Sequence, residues 1–285
     1  MRPRQTTYTQ TNHVDFWTGQ TRGRPRVRSY SITHPPGRVA LPTERGWDQL
    51  VFSHSGHFTA HTWSQAWTIP AHRALCVPDG TRLKIETSRR SAIRCLYIDA
   101  QLGVLGSGLR VVGLGALARE LLTHAVDAAP MNLSSPADAA LITLLAEQLA
   151  NEPDAPLRLP LPVDPVAQAV ASAVMRSPAS GLDSVLEGAG ASRRTIERRF
   201  RSETGMSLGQ WRRRARVLAA VAMLAAGDSV TRVALEVGYA TPSSFVAAFR
   251  SELHAPPRAF MHDRAPTIGP ITARLPGDRT RLTRS

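Results

Sequence analysis

The sequence predicts a multidomain chain of α and β class: a β-rich N-terminal barrel with a helical pair, then an all-α C-terminal domain containing two helix–turn–helix units. Three observations carry this. Residues 27–99 break into short strand-like runs separated by turn residues. Residues 109–151 change to helical spacing and lead into NEPDAPLRLPLP (151–162), whose four prolines no helix can traverse. Beyond that run, the tetrad FRSE at 200–203 recurs at 249–252, each copy ending a helical stretch that follows a short helix and a glycine turn. The expected organisation is a mobile arm at 1–26, the β-rich domain at 27–150, a linker at 151–162, the double-unit domain at 163–264 and a disordered tail at 265–285.

Composition narrows the function classes. At 285 residues the chain can hold two cores. Its net charge of +13 suits a polyanionic partner, and Lys84 is its only lysine, so the charge is almost wholly arginine. Arginine binds phosphate and guanine bidentately. The longest apolar stretch, 102–122, is broken by Arg110 and Arg119, and the first 26 residues lack an apolar run. Neither a membrane span nor a signal peptide is expected. Cys76 and Cys95 are too few for a secreted disulfide scaffold, so a cytoplasmic location is expected.

In chain order, strands are expected at 27–33, 48–53, 57–63, 66–69, 73–77, 82–87 and 92–99, with turns at PPG (35–37), SG (55–56) and PDG (78–80). Many short strands at close spacing suggest a small barrel or jelly roll. His57 and His61 share one strand face, which permits a metal-ligand pair, with His54 and His72 nearby. Edge-strand and turn histidines are the expectation, and no metal or cofactor is assigned. Leu114, Leu117, Leu121 and Leu122 line a helix over 109–129, and Leu141, Leu144, Leu145 and Leu149 line another over 135–151. This pair either caps the barrel or pairs with a second subunit.

After the linker, a helix is expected at 165–176 and a short one from 182 to the glycine turn at 188–190. Ser192 then caps a helix whose Ile196 and Phe200 form a narrow apolar stripe. Arg194, Glu197, Arg198 and Arg201 occupy the opposite side. In a major groove, Arg can bond guanine and Glu can accept from cytosine. SLGQ (207–210) is a capping box opening a long helix to about 226, with Trp211, Ala215, Leu218, Ala222 and Ala225 on its buried side. Arg212, Arg213, Arg214 and Arg216 lie near its start and suit phosphate contacts. A short helix at 230–238 precedes Thr241, the second cap, and the exposed positions of the second reader are Pro242, Ser243, Val246 and Ala247. Base reading is therefore assigned to Arg194, Glu197, Arg198, Ser243, Val246 and Ala247. Backbone contacts are assigned to Arg193, Arg201, Arg212, Arg214, Thr241 and Arg250. No residue is assigned to an effector.

The runs SRRTIERRF (192–200), TGMSLGQW (204–211) and VALEVGYATPSSFVAAFR (233–250) together resemble the AraC family of bacterial transcription regulators, over residues 164–261, about a third of the chain. The resemblance implies a regulator of transcription that binds double-stranded DNA, usually an activator working with RNA polymerase. It also implies a cupin-like N-terminal sensor domain, a small-molecule effector and a homodimer. Two positions depart from the pattern: Leu186 stands where alanine is usual, and His254 where glycine commonly ends the second reader. The His-x-His and glutamate of metal-binding cupins are absent. The alternatives are a metal-dependent cupin enzyme with a DNA-targeting domain, and a non-specific nucleic-acid or membrane-surface binder driven by charge. The expectation is a non-enzyme.

Overall fold

A computed structural model describes residues 25–88 and 90–262. The predicted tail, and the arm apart from Pro25 and Arg26, lie outside these residues.

The N-terminal part is built from β1 (Val27–His34), β2 (Gly37–Ala40), β3 (Trp47–Ser53), β4 (His57–His61), β5 (Gln65–Pro70), β6 (Arg73–Val77), β7 (Lys84–Thr87), β8 (Ser91–Asp99), β9 (Arg110–Gly113) and β10 (Arg158–Pro160). They form two five-stranded antiparallel sheets, ordered β1-β8-β3-β6-β9 and β10-β5-β4-β7-β2. The expected barrel is thus an open two-sheet sandwich, since its outermost strands do not pair across the gap. Trp47, Val51, Phe58, Trp67, Ile69, Leu75, Ile85 and Ile93 fill the interior. Successive strand residues face opposite sides of a sheet, so Leu50, Phe52, Ala74, Cys76, Leu96 and Ile98 emerge on the outer face of the first sheet. There they meet α1 (Ala116–Ala128) and α2 (Pro136–Ala150) through Leu122, Leu145 and Leu149. With both faces covered, β3 is buried at every position. The helical pair therefore caps the sandwich, while Leu117 and Leu144 stay exposed on its outer side.

Two expectations are corrected here. The helix predicted from 109 begins only at Ala116. The β-branched pair Val111 and Val112 instead extends alongside β6 as β9. The proline run at 151–162 is not a free linker. Its prolines forbid helix, but Arg158–Pro160 pairs with β5 as an edge strand, a place where proline is tolerated. Ala155, Leu157 and Leu159 are buried with it.

The C-terminal part comprises α3 (Pro165–Arg176), α4 (Leu182–Glu187), α5 (Arg193–Thr204), α6 (Leu208–Ala225), α7 (Val230–Glu236), α8 (Pro242–Leu253) and α9 (Pro257–His262). Side-chain caps open most of them. Asp164 accepts from the amides of Val166 and Ala167, Ser192 from Thr195, Ser229 from Arg232 and Thr241 from Ser244. Ser207 and Gln210 complete the capping box of α6. The 18 residues of α6 make a rod of about 27 Å. It packs against α3, α5, α7, α8 and α9, and also against β4, β5 and β10 of the second sheet. Trp211, wholly buried, donates its indole N–H to the Pro160 carbonyl at 2.6 Å. At the far end, Phe260 of α9 meets the ring of His72 edge-on and lies under the Arg73 guanidinium. Among the described residues, no helix is long and apolar enough to cross a membrane.

Candidate nucleic-acid interface

The second helix of the first pair, α5, is fastened from behind. Ile196 and Phe200 are fully buried, Phe200 edge-on to Trp211 at 5.2 Å. Arg199 reaches Asp164 at 2.8 Å, and Glu203 accepts from the amides of Val163 and Asp164 at 2.7 and 3.0 Å. That leaves Arg194, Glu197, Arg198 and Arg201 exposed on the outer face. Glu197 accepts from Arg193 at 3.2 Å, and Arg193 also pairs with Asp183 at 3.2 Å. Arg194, Arg198 and Arg201 make no side-chain hydrogen bond or ion pair among the described residues, so three guanidiniums on one face are available to an anion or a base edge.

The second helix of the second pair, α8, repeats the scaffold with another surface. Phe245 and Phe249 are fully buried, and Phe249 is edge-packed between Phe245 and Phe260 at 5.6 Å from each. Its outer face carries Pro242, Ser243, Val246, Ala247, Arg250 and Ser251, which line a shallow open depression. Thr241 accepts from the Ser244 amide at 3.2 Å and donates to the Ser244 hydroxyl at 3.1 Å. Its hydroxyl is committed to the cap. Both helices end in the left-handed conformation, at Gly205 with φ 73° and at His254 with φ 60°. Each end still makes its closing bond, from Gly205 N–H to the Arg201 carbonyl and from His254 N–H to the Arg250 carbonyl.

The arginines near the start of α6 are placed differently from expectation. Arg214 donates to the carbonyls of Arg158 at 2.7 Å and Pro156 at 3.1 Å, pairs with Glu252, and keeps only 17% of its side chain exposed. Arg212 donates to the Ser180 carbonyl. Both were expected on the DNA backbone, yet both guanidiniums are turned into the protein, because bare carbonyls of the linker strand and of the α3–α4 loop lie within their reach. Arg213 pairs with Glu252 at 2.9 Å and stays half-exposed. Sequence inspection missed the partners of these side chains: arginines in a row look alike whether they face phosphates or carbonyls.

The histidines do not converge. His61 lies 3.1 Å from Glu86; burial and the nearby Arg38 push its pKa down, against the pull of that carboxylate. Among the described residues no group of three or more His, Cys, Asp or Glu could hold a metal ion. Burial pushes the Cys76 thiol up to about 12 and raises that of Cys95 as well, and the two lie on opposite faces of the first sheet.

Two helices separated by a turn, occurring twice and leaving an outward face exposed on the second helix of each pair, form an arrangement that can place two helices against a duplex. The family described as a helix-turn-helix domain matches residues 186–263. The chain is 24% identical over 229 residues to the transcriptional regulator NimR of Escherichia coli, covering 79% of this chain and 83% of that one. It is 40% identical over 103 residues to the transcriptional regulator RipA of Corynebacterium glutamicum, covering 35% and 31%. Among solved structures it is similar to the DNA-binding domain of AdpA in complex with a target DNA. There the identity is 37%, the TM-score 0.32, and the cover 35% of this chain and 91% of that one.

Proposed function

We infer, from a chain that belongs to the AraC family of DNA-binding transcription regulators, that α5 and α8 enter successive major grooves on one face of the duplex and read unequal halves of one site. The observation that carries this is the pairing of two alike, rigidly backed recognition helices across the single rod α6. On α5, Arg194, Glu197 and Arg198 read base edges and Arg201 meets phosphate. Arg193, held by Asp183 and Glu197, meets phosphate only by releasing one of them. On α8, Ser243, Val246 and Ala247 meet the groove floor, the latter two favouring thymine methyl groups, and Arg250 meets phosphate. Protection of guanine N7 from methylation, combined with uracil-for-thymine interference to report thymine methyl contacts, on a selected site tests this. Two protected major-groove segments about one turn (~34 Å) apart are expected. A single segment overturns the reading.

Residues 27–150 are proposed as the sensor and dimerisation domain and 163–264 as the reader. The exposed Leu117 and Leu144 support a homodimer through the helical pair. Activation through RNA polymerase, response to a small molecule and a cytoplasmic location are proposed on family grounds.

A further inference from the structure

We propose that Arg216 and Gly238 form a gauge that sets the separation of the two recognition helices, so that the spacing between half-sites is read by the interior of the reader. Arg216 lies on α6, and its guanidinium joins both units. Its Nε donates to the Pro178 carbonyl at 2.8 Å, in the loop between α3 and α4 of the first unit. Its Nη2 donates to the Gly238 carbonyl at 2.8 Å, in the turn between α7 and α8 of the second. A guanidinium is flat and presents its donors at fixed angles, so one group bonded to both carbonyls fixes their relative position. The Tyr239 ring, which packs on Phe245 of α8, lies 5.3 Å from Arg216 Cζ.

Gly238 meets this contact from the other side. It closes α7 at φ 84°, with Tyr239 N–H bonded to the Ala234 carbonyl and its own N–H to Leu235, a turn that favours glycine. A Cβ there would fall 1.9 Å from Nη2 of Arg216 and 2.7 Å from the Ala179 Cα. The second turn therefore lies close against the backbone of the first unit's loop, with the Arg216 guanidinium packed at the same joint. Neither reader needs this junction for its own core, since α5 is anchored by Ile196 and Phe200 and α8 by Phe245 and Phe249. Arg212, one turn earlier, bonds only the first unit, at Ser180. Arg216 is a positioning residue and touches no base.

The inference rests on the two-groove reading. The test uses the full chain and a DNA pool carrying both wild-type-selected half-sites at the native spacing and at one or two base pairs shorter or longer. Arg216→Met, which keeps the stem but no donor, should bind the same half-sites while losing roughly tenfold of the preference for native spacing, about the worth of one charge-assisted hydrogen bond. Arg216→Lys, able to reach one carbonyl, should fall between, and Arg212→Met should keep the wild-type preference. Gly238→Ala wedges the same joint while leaving the charge in place, and should shift the preferred spacing; it decides the matter if Arg216→Met does not fold. Weakening that is equal at every spacing, in both Arg216→Met and Gly238→Ala, overturns the gauge. A wild-type chain that selects only one half-site ends the two-groove reading itself. One that selects both but accepts any spacing ends only the gauge.

Discussion

Phe200 and Phe249 hold equivalent places in α5 and α8, each fully buried and each following another buried apolar residue by four positions. Opposite them the helices diverge. α5 shows three arginines and a glutamate, whereas α8 shows proline, serine, valine and alanine with Arg250 at its end. The buried half of each helix is set by packing on α6 and is repeated; the outer half is free of that constraint and has taken its own chemistry. The difference teaches that repetition in the core says nothing about equality of reading.

The largest expected effects test the equivalence of the cores. Phe200→Ala and Phe249→Ala should each cost about 3–5 kcal/mol in urea unfolding. A gap of more than about 2 kcal/mol between them would show that the two scaffolds are not energetic equals. Next comes the inequality of the surfaces. Arg198→Ala should cost about 1–3 kcal/mol of DNA affinity and relax one or two positions of a selected motif, while Ser243→Ala should change little. An unchanged motif in the arginine variant, or a second half-site more stringent than the first, would reverse the assignment.

Smaller effects sit at the helix ends. Gly205→Ala should lose about 1 kcal/mol of stability, since its left-handed φ is costly for a residue with a Cβ. His254→Gly should gain up to about that much, less the entropy that glycine adds to the unfolded chain. Thermal unfolding compares the pair, and a loss on His254→Gly would mean that the imidazole itself supports the end of α8. The smallest effects concern phosphate contacts. Arg201→Ala and Arg250→Ala should each weaken binding to all sequences alike and reduce the salt slope by about one unit. Altered sequence preference at constant slope would move either residue to the base-reading group.

Much of the reader is legible in the residues, because its signals are local. Ser192, Ser207, Ser229 and Thr241 cap helices where short polar side chains precede an apolar period, and Ile196, Phe200, Phe245 and Phe249 mark the buried stripes. Seven strands of the sandwich are equally plain. β2 is not, since its four residues are mostly exposed and lack alternation. β9 is hidden because its apolar residues run directly into those of α1. β10 and the placement of Arg212, Arg214 and Arg216 depend on contacts with residues 20 or more positions away, which no local pattern encodes. The outward faces of α5 and α8 could be listed from spacing, but which guanidiniums are already spoken for could not.

The strand at Arg158–Pro160 bears on how such a chain can be rearranged by recombination. Its pairing with β5, the indole bond from Trp211 to Pro160, and the Arg214 bonds to Pro156 and Arg158 stitch one short segment to both halves. A crossover placed after Leu161 would bring in a foreign N-terminal half with a strand of its own, and the incoming carbonyls would have to match the indole and guanidinium already waiting. A crossover before Ala155 would carry the native strand along but ask an unfamiliar sheet to accept it. The halves are separate in sequence yet not interchangeable cassettes, and fusions that ignore this seam should misfold at it.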